Sequence, residues 1–108
     1  MYGLRKRDLE NIYAVLSKWS QVEKAIIFGS RALGNYKKGS DIDLAITGKK
    51  VEESICKKVS EQLNEEYPIP FFVEVINYNT IKNQALKEHI QKYGIIIYQK
   101  STERKPNL

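Results

Sequence analysis

The chain has 108 residues, 42% of them hydrophobic, and a formal net charge of +5, which suits one domain around one core and leaves little room for a second. No apolar run approaches the about 18 residues that read as a membrane span, and the charged first eight residues are not followed by a signal-type apolar stretch. Cys56 is the one cysteine; this excludes an intrachain disulfide and a cysteine-based metal centre, and fits a soluble protein of a reducing, cytoplasmic compartment.

Taken in chain order, Leu9, Ile12, Leu16 and Trp19 recur at helical spacing and predict an amphipathic helix over residues 8–19, with Asp8 as N-cap. Residues 22–28 are apolar and partly β-branched, end at Gly29, and read as a buried strand. Residues 30–33 open a short helix and 34–40 form a polar loop. Residues 41–46 alternate as Asp, Ile, Asp, Leu, Ala, Ile, the pattern of a strand with one apolar face. Val51, Ile55, Val59 and Leu63 predict a helix over 51–66, stopped by Pro68 and Pro70. Residues 71–78 read as a third strand. Thr80 is the expected cap of a last helix reaching Tyr93, and 95–98 form a fourth strand after Gly94. Strands alternating with helices predict an α/β fold. The link between the first two strands is short for a parallel crossover, so the expectation is a small mixed sheet of about four strands with helices packed against it. The domain is assigned to 1–99. Residues 100–108, where Lys100, Arg104 and Lys105 face only Glu103, read as a flexible basic tail.

Three carboxylates and one turn carry chemistry in this pattern. A strand runs directly into Gly29-Ser30 and then a helix start. Glycine lets a phosphate approach the backbone, the amides of a helix start point at it, and the Ser30 hydroxyl adds a donor. Asp41 and Asp43, on one face of a strand with Cα atoms about 6.8 Å apart, repel each other unless a cation or water intervenes, and hard divalent cations seek such oxygens. Asp is depleted in strands, so two at alternate positions need a reason beyond ordinary solvation of a polar face. Glu74 is the only charge in residues 71–76. It either reaches water from an edge strand, pairs with a lysine, or completes a three-carboxylate cluster if the third strand lies beside the second.

Phe28-Gly29-Ser30, ten intervening residues, then Asp41-Ile42-Asp43-Leu44, with a later acidic strand residue, resemble the signature of the minimal nucleotidyltransferases of the DNA polymerase β superfamily. The segments Gly29-Ser30-Arg31-Ala32-Leu33-Gly34 and Ser40-Asp41-Ile42-Asp43-Leu44-Ala45 carry the likeness further, and it covers nearly the whole chain. Glu74 departs from the aspartate frequent at the third position. The resemblance implies a nucleoside triphosphate, with ATP as substrate and Mg²⁺ or Mn²⁺ as cofactor. It implies Asp41, Asp43 and Glu74 as catalytic and metal-binding residues, with Gly29 and Ser30 holding phosphates. It also implies transfer of AMP to a hydroxyl of a partner. Stand-alone proteins of this kind are often antitoxins paired with a small helical toxin of the HEPN family. A non-catalytic antitoxin or adaptor that neutralises its partner by binding is the alternative.

Other features are set aside or left open. The glycines of residues 34–40 are spaced like a P-loop, but Ser40 stands where its lysine is required. Arg31 can reach a phosphate or face solvent. Lys37 and Lys38 read as solvated loop lysines, His89 as a surface or capping residue, and Cys56 and Trp19 as packing. The basic excess permits nucleic-acid contact, but no stacking-aromatic motif or basic helix face supports it.

Overall fold

Residues 24–28 and 42–47 are joined by one helical turn and a polar loop, a link that returns the chain alongside itself. In the computed structural model, which describes residues 2–100, these two strands pair antiparallel. The elements are α1 (Lys6–Leu16), β1 (Lys24–Phe28), α2 (Ser30–Leu33), β2 (Ile42–Thr47), α3 (Glu53–Glu61), β3 (Val73–Asn77), α4 (Gln84–Tyr93) and β4 (Ile95–Gln99). The sheet order is β3-β2-β1-β4. The crossover through α3 brings β3 parallel to β2, and β4 returns antiparallel to β1. The sheet is therefore mixed and four-stranded, as the connection lengths predict. Among the described residues no helix is long and apolar enough to cross a membrane.

Alternation along the strands divides the side chains between two faces. Ala25 and Ile27 of β1, Ile42, Leu44 and Ile46 of β2, and Val73 of β3 are buried with Ile12, Val15 and Leu16 of α1 and Cys56 and Val59 of α3. Burial pushes the Cys56 thiol up to about 11, as expected of a core residue. The opposite face holds a smaller cluster of Phe28, Ala45 and Ile90, with Ile26 and Ile76 against it. One helix, α4, supplies the cover there, and the acidic positions of β2 and β3 share this less covered face by the two-residue period.

Helix ends depart from the sequence expectation where side chains from outside the helix decide them. Helix α1 begins at Lys6, with Arg5 at the cap. Asp8 is not the N-cap: it lies inside the first turn, fully buried, and its carboxylate accepts the Arg5 amide at 2.9 Å and the Arg5 guanidinium at 3.2 and 3.0 Å. Trp19 lies past the end of α1, packs on the main core and donates to Gln62 Oε1 at 3.0 Å. The α-helical part of the 51–66 segment stops at Glu61 and widens into a π turn over Gln62–Glu66. Thr80 ends a 3₁₀ turn, and Asn83 caps α4 by accepting the Leu86 amide at 3.1 Å. The flexible-tail expectation falls outside the described residues except at Lys100. There the backbone amide donates to Glu23 O at 2.7 Å and the ammonium to Ser20 O at 2.9 Å.

The π turn places Asn64 against the outer edge of β3. Its amide donates to Val73 O at 2.8 Å and its oxygen accepts from the Val73 amide at 2.7 Å, while it also donates to Ser60 O at 2.9 Å. A single side chain thus closes both backbone groups of Val73, one residue before Glu74. Replacing Asn64 by Ala leaves those groups without their partner. We expect Asn64→Ala to cost about 1–3 kcal/mol and to lower the midpoint of thermal unfolding, followed by circular dichroism, by roughly 5 °C or more. An unchanged midpoint contradicts this role.

Candidate active site

Backbone pairing brings the acids together. In the parallel ladder Asp43 is opposite Glu74, and in the antiparallel ladder it is opposite Phe28, the residue before Gly29. Adjacent strands lie about 4.8 Å apart, so Asp43 sits between a carboxylate on one side and the Gly-Ser turn on the other. Asp41 lies just ahead of β2 rather than within it and is exposed; Asp43 is half-buried, and Glu74 is exposed on the edge strand. Glu74 therefore reaches water, and its place in the site comes from register, not from burial.

The Asp43 carboxylate has no ion-pair partner among the described residues. Burial pushes the Asp43 carboxyl above its ordinary value, and the charges of Glu74 and Asp41 push it the same way; the charge of Arg31 acts in opposition. The chain holds 18 Lys and Arg residues, yet the one ion pair among the described residues is Arg5 with Asp8 at 3.0 Å. No described residue donates a hydrogen bond to the Asp43 carboxylate. A half-buried carboxylate without a donor, flanked by two of its kind, is the oxygen-rich environment a hard divalent cation seeks. Among the described residues no three acidic, His or Cys side chains are already drawn around one point. A cation would have to gather these carboxylates.

The Gly29-Ser30 turn is built against the same carboxylate. Gly29 has φ 75° and ψ −151°, a backbone region essentially reserved for glycine. A Cβ placed there would land on Asp43 Oδ2. Glycine is thus required both by conformation and by the closeness of Asp43. Ser30 opens α2, whose first amides have no acceptor within the helix, and Gly34 closes it in the left-handed region at φ 84°. The Gly29 amide itself donates to His89 Nε2 at 2.9 Å.

Arg31 follows Ser30 but its guanidinium turns inward. It is 3% exposed, donates to Ser40 O at 2.6 Å and to Tyr2 O at 2.9 Å, and reaches Asp41 O at 3.3 Å. Its cationic plane lies over Phe71 at 4.3 Å and Tyr36 at 5.2 Å. With its donors engaged by the chain's own carbonyls, Arg31 fixes the loop that delivers Asp41, and in this arrangement it is not free to bind a phosphate. Lys37 and Lys38 are exposed. His89, which the sequence reads as a surface or capping residue, meets the Gly29 amide across sixty residues of sequence, and no local pattern signals such a contact.

Two outcomes follow from this geometry. Gly29→Ala forces a side chain onto Asp43 at positive φ, so it should lower stability by about 1–3 kcal/mol, measurable by urea unfolding; a neutral effect refutes the close packing. Asp43→Asn should act in the opposite sense. The folded carboxyl binds its proton more readily than the unfolded one, so its ionised form costs stability at neutral pH. That cost fades as pH falls through the raised value toward the ordinary 3.8. In thermal melts without divalent metal, Asp43→Asn should unfold at the same or a higher temperature than the parent at pH 7, with the difference shrinking near pH 4. A marked drop at pH 7 would identify Asp43 as a structural hydrogen-bond acceptor.

Comparison with known proteins bears on the family and the fold. The family model described as polymerase beta nucleotidyltransferase matches residues 10–103. A Haemophilus influenzae protein described as a probable protein adenylyltransferase, MntA, is 31% identical over 104 residues, covering 95% of this chain and 90% of its own length. Among solved structures, a toxin–antitoxin crystal structure with AMP-PNP superposes with a TM-score of 0.70 at 16% identity, over 86% of this chain and 74% of the other. A complex of tri-AMPylated Shewanella oneidensis HEPN toxin with MNT antitoxin gives 0.67 at 13% identity, over 90% and 74%. These two share the fold. The extent of the family match and of the Haemophilus relative, laid over the Gly-Ser turn and its acidic strands, shows that the chain belongs to the polymerase β nucleotidyltransferase family.

Proposed function

We propose that this chain transfers AMP from ATP to a hydroxyl group of a partner protein, and that the partner is a small helical HEPN-family toxin which the transfer silences. The observation that carries this reading is the pair Asp43 and Glu74, in register across two parallel strands, with Asp41 just ahead of the first strand and the Gly-Ser turn against Asp43. The Haemophilus relative is described as a protein adenylyltransferase, and the fold is shared by a complex holding an AMPylated HEPN toxin. Both support AMP and a protein acceptor over other nucleotides and acceptors.

In this reading the Gly29-Ser30 turn holds the β- and γ-phosphates, through backbone amides at the start of α2 and the Ser30 hydroxyl. Asp41, Asp43 and Glu74 would hold Mg²⁺ or Mn²⁺, which supplies charge neutralisation for the attacking and leaving oxygens. Glu74, exposed at the sheet edge, faces the side from which a folded acceptor can approach. It takes the proton of the acceptor hydroxyl as the oxygen attacks the α-phosphorus. The new oxygen–phosphorus bond forms as the bond between the α-phosphorus and its bridging oxygen breaks, and pyrophosphate leaves. Positioning of the acceptor within about 3.5 Å of the α-phosphorus is the partner's contribution.

The test is incubation of the chain with the candidate partner, ATP and Mg²⁺, read by intact mass spectrometry. The partner should gain one or more AMP groups, and Asp41→Asn should abolish the gain. A partner that binds and is neutralised without change of mass, by parent and variant alike, overturns the transfer reading in favour of a non-catalytic antitoxin. In calorimetry, ATP binding should require Mg²⁺ or Mn²⁺, and the Asp41→Asn, Asp43→Asn double variant should lose that requirement.

A further inference from the structure

His89 is the only histidine in the chain, and the reaction above gives it no task. It sits on α4, half-buried, with its ring edge-on to Phe28 (centroids 6.3 Å apart, 77°) and tilted against Tyr93 (5.6 Å, 44°). Its Nε2 accepts the Gly29 amide at 2.9 Å. A ring nitrogen that accepts carries no hydrogen, so the neutral imidazole bears its proton on Nδ1. The nitrogen facing the turn is thereby occupied and not available to ligate a metal in this arrangement.

The contact matters because of what it holds. Gly29 has the widest backbone freedom of any residue, and it must keep a positive φ with its Cα against the Asp43 carboxylate. Its carbonyl is held within α2 by the Leu33 amide at 3.1 Å. The amide on its other side is the hinge between β1 and the turn, and His89 fixes it from a separate element. The same bond commits the Gly29 amide to protein, which leaves the amides from Ser30 onward for a phosphate.

We propose that His89 is a positioning residue of the nucleotide site: by accepting the Gly29 amide it sets the turn that presents Ser30 to the triphosphate. This rests on the nucleotidyl-transfer reading. It tethers α4 to the phosphate turn and makes the packing of α4 on Phe28 part of the site's construction.

The experiment compares the parent with His89→Ala, which removes the acceptor, and His89→Gln, whose side-chain oxygen replaces Nε2 as acceptor. Exchange of the Gly29 amide is followed by NMR, ATP affinity in the presence of Mg²⁺ by calorimetry, and folding by thermal melting. We expect His89→Ala to speed Gly29 exchange and to weaken ATP about tenfold, equivalent to about 1.4 kcal/mol, with little change in melting temperature. His89→Gln should recover most of both losses. Gly29 exchange as slow in His89→Ala as in the parent overturns the proposal. So does faster exchange with unchanged ATP affinity, or an equal loss in both variants that tracks a fall in melting temperature. If the parent itself binds no ATP, the nucleotidyl-transfer reading fails, while amide exchange still decides whether His89 sets the turn.

Discussion

Asp43 and Glu74, two carboxylates of like charge, are held side by side by backbone pairing that gains nothing from their proximity, with Asp41 two residues ahead of Asp43. Mutual repulsion of two such groups about 5 Å apart runs from about 1 kcal/mol in bulk water to about 3 kcal/mol at the effective permittivity of a protein surface. The strand that bears Asp43 also bears Ile42 and Leu44, both fully buried on the opposite face. Burial of each, and of Ile46 beside them, is worth roughly 1.5–3 kcal/mol, so packing on the main-core face together exceeds the repulsion on the other. Alternation with period two allows one strand to do both. The same division places the larger core under α1 and α3 and only the small Phe28–Ala45–Ile90 cluster under α4, which leaves the acidic face less covered.

Each segment that delivers a site residue is then fixed by one polar side chain reaching in from elsewhere. Arg31 binds the carbonyls of Ser40 and Asp41 and so sets the loop entering β2. Asn64 closes both backbone groups of Val73 and so sets the entry to β3 and Glu74. His89 binds the amide of Gly29. In all three cases the contact is side chain to backbone, which fixes the course of the chain without adding a charge pair that would compete with the acids. Arg31 is a cation close to the carboxylates and draws Asp43 downward. Its hydrogen bonds nevertheless go to carbonyls, so it takes up none of the carboxylate oxygens of Asp41, Asp43 and Glu74.

This arrangement explains what could be read in the sequence. Asp41, Asp43, Gly29 and Ser30 stand out because residue type conflicts with local expectation: aspartates in a strand pattern, a glycine where a strand meets a helix. The strands and their mixed pairing follow from alternation and connection length. Helix ends did not follow, because Arg5 with Asp8, and Asn83 with Leu86, are settled by geometry rather than by spacing of apolar residues. Asp8 was legible as a polar residue at a helix start, but not its burial within the first turn. The pairing of Asp43 with Glu74 was legible only as a condition, since nothing within 71–78 says which strand lies alongside. Arg31, Asn64 and His89 act over separations of up to sixty residues, where periodicity carries no information.

The three acids differ in exposure, and that difference assigns them different work under the proposed reaction. Asp43 lies between two strands, half-buried, and is the group whose charge the protein itself makes costly. It gains most from a bound cation and belongs on the nucleotide side, next to the Gly29 backbone. Glu74 stands on an edge strand beyond it, exposed, with its neighbour Phe72 exposed as well. A hydroxyl borne on a folded partner cannot thread into a narrow cleft, but it can reach a carboxylate at the rim of a sheet. Asp41 lies ahead of β2, exposed, on a loop whose carbonyls Arg31 holds, outside the ladder. Under the proposed reaction, a half-buried inner acid, an exposed outer acid and one on a tethered loop would hold a triphosphate while leaving the rim open to a protein acceptor.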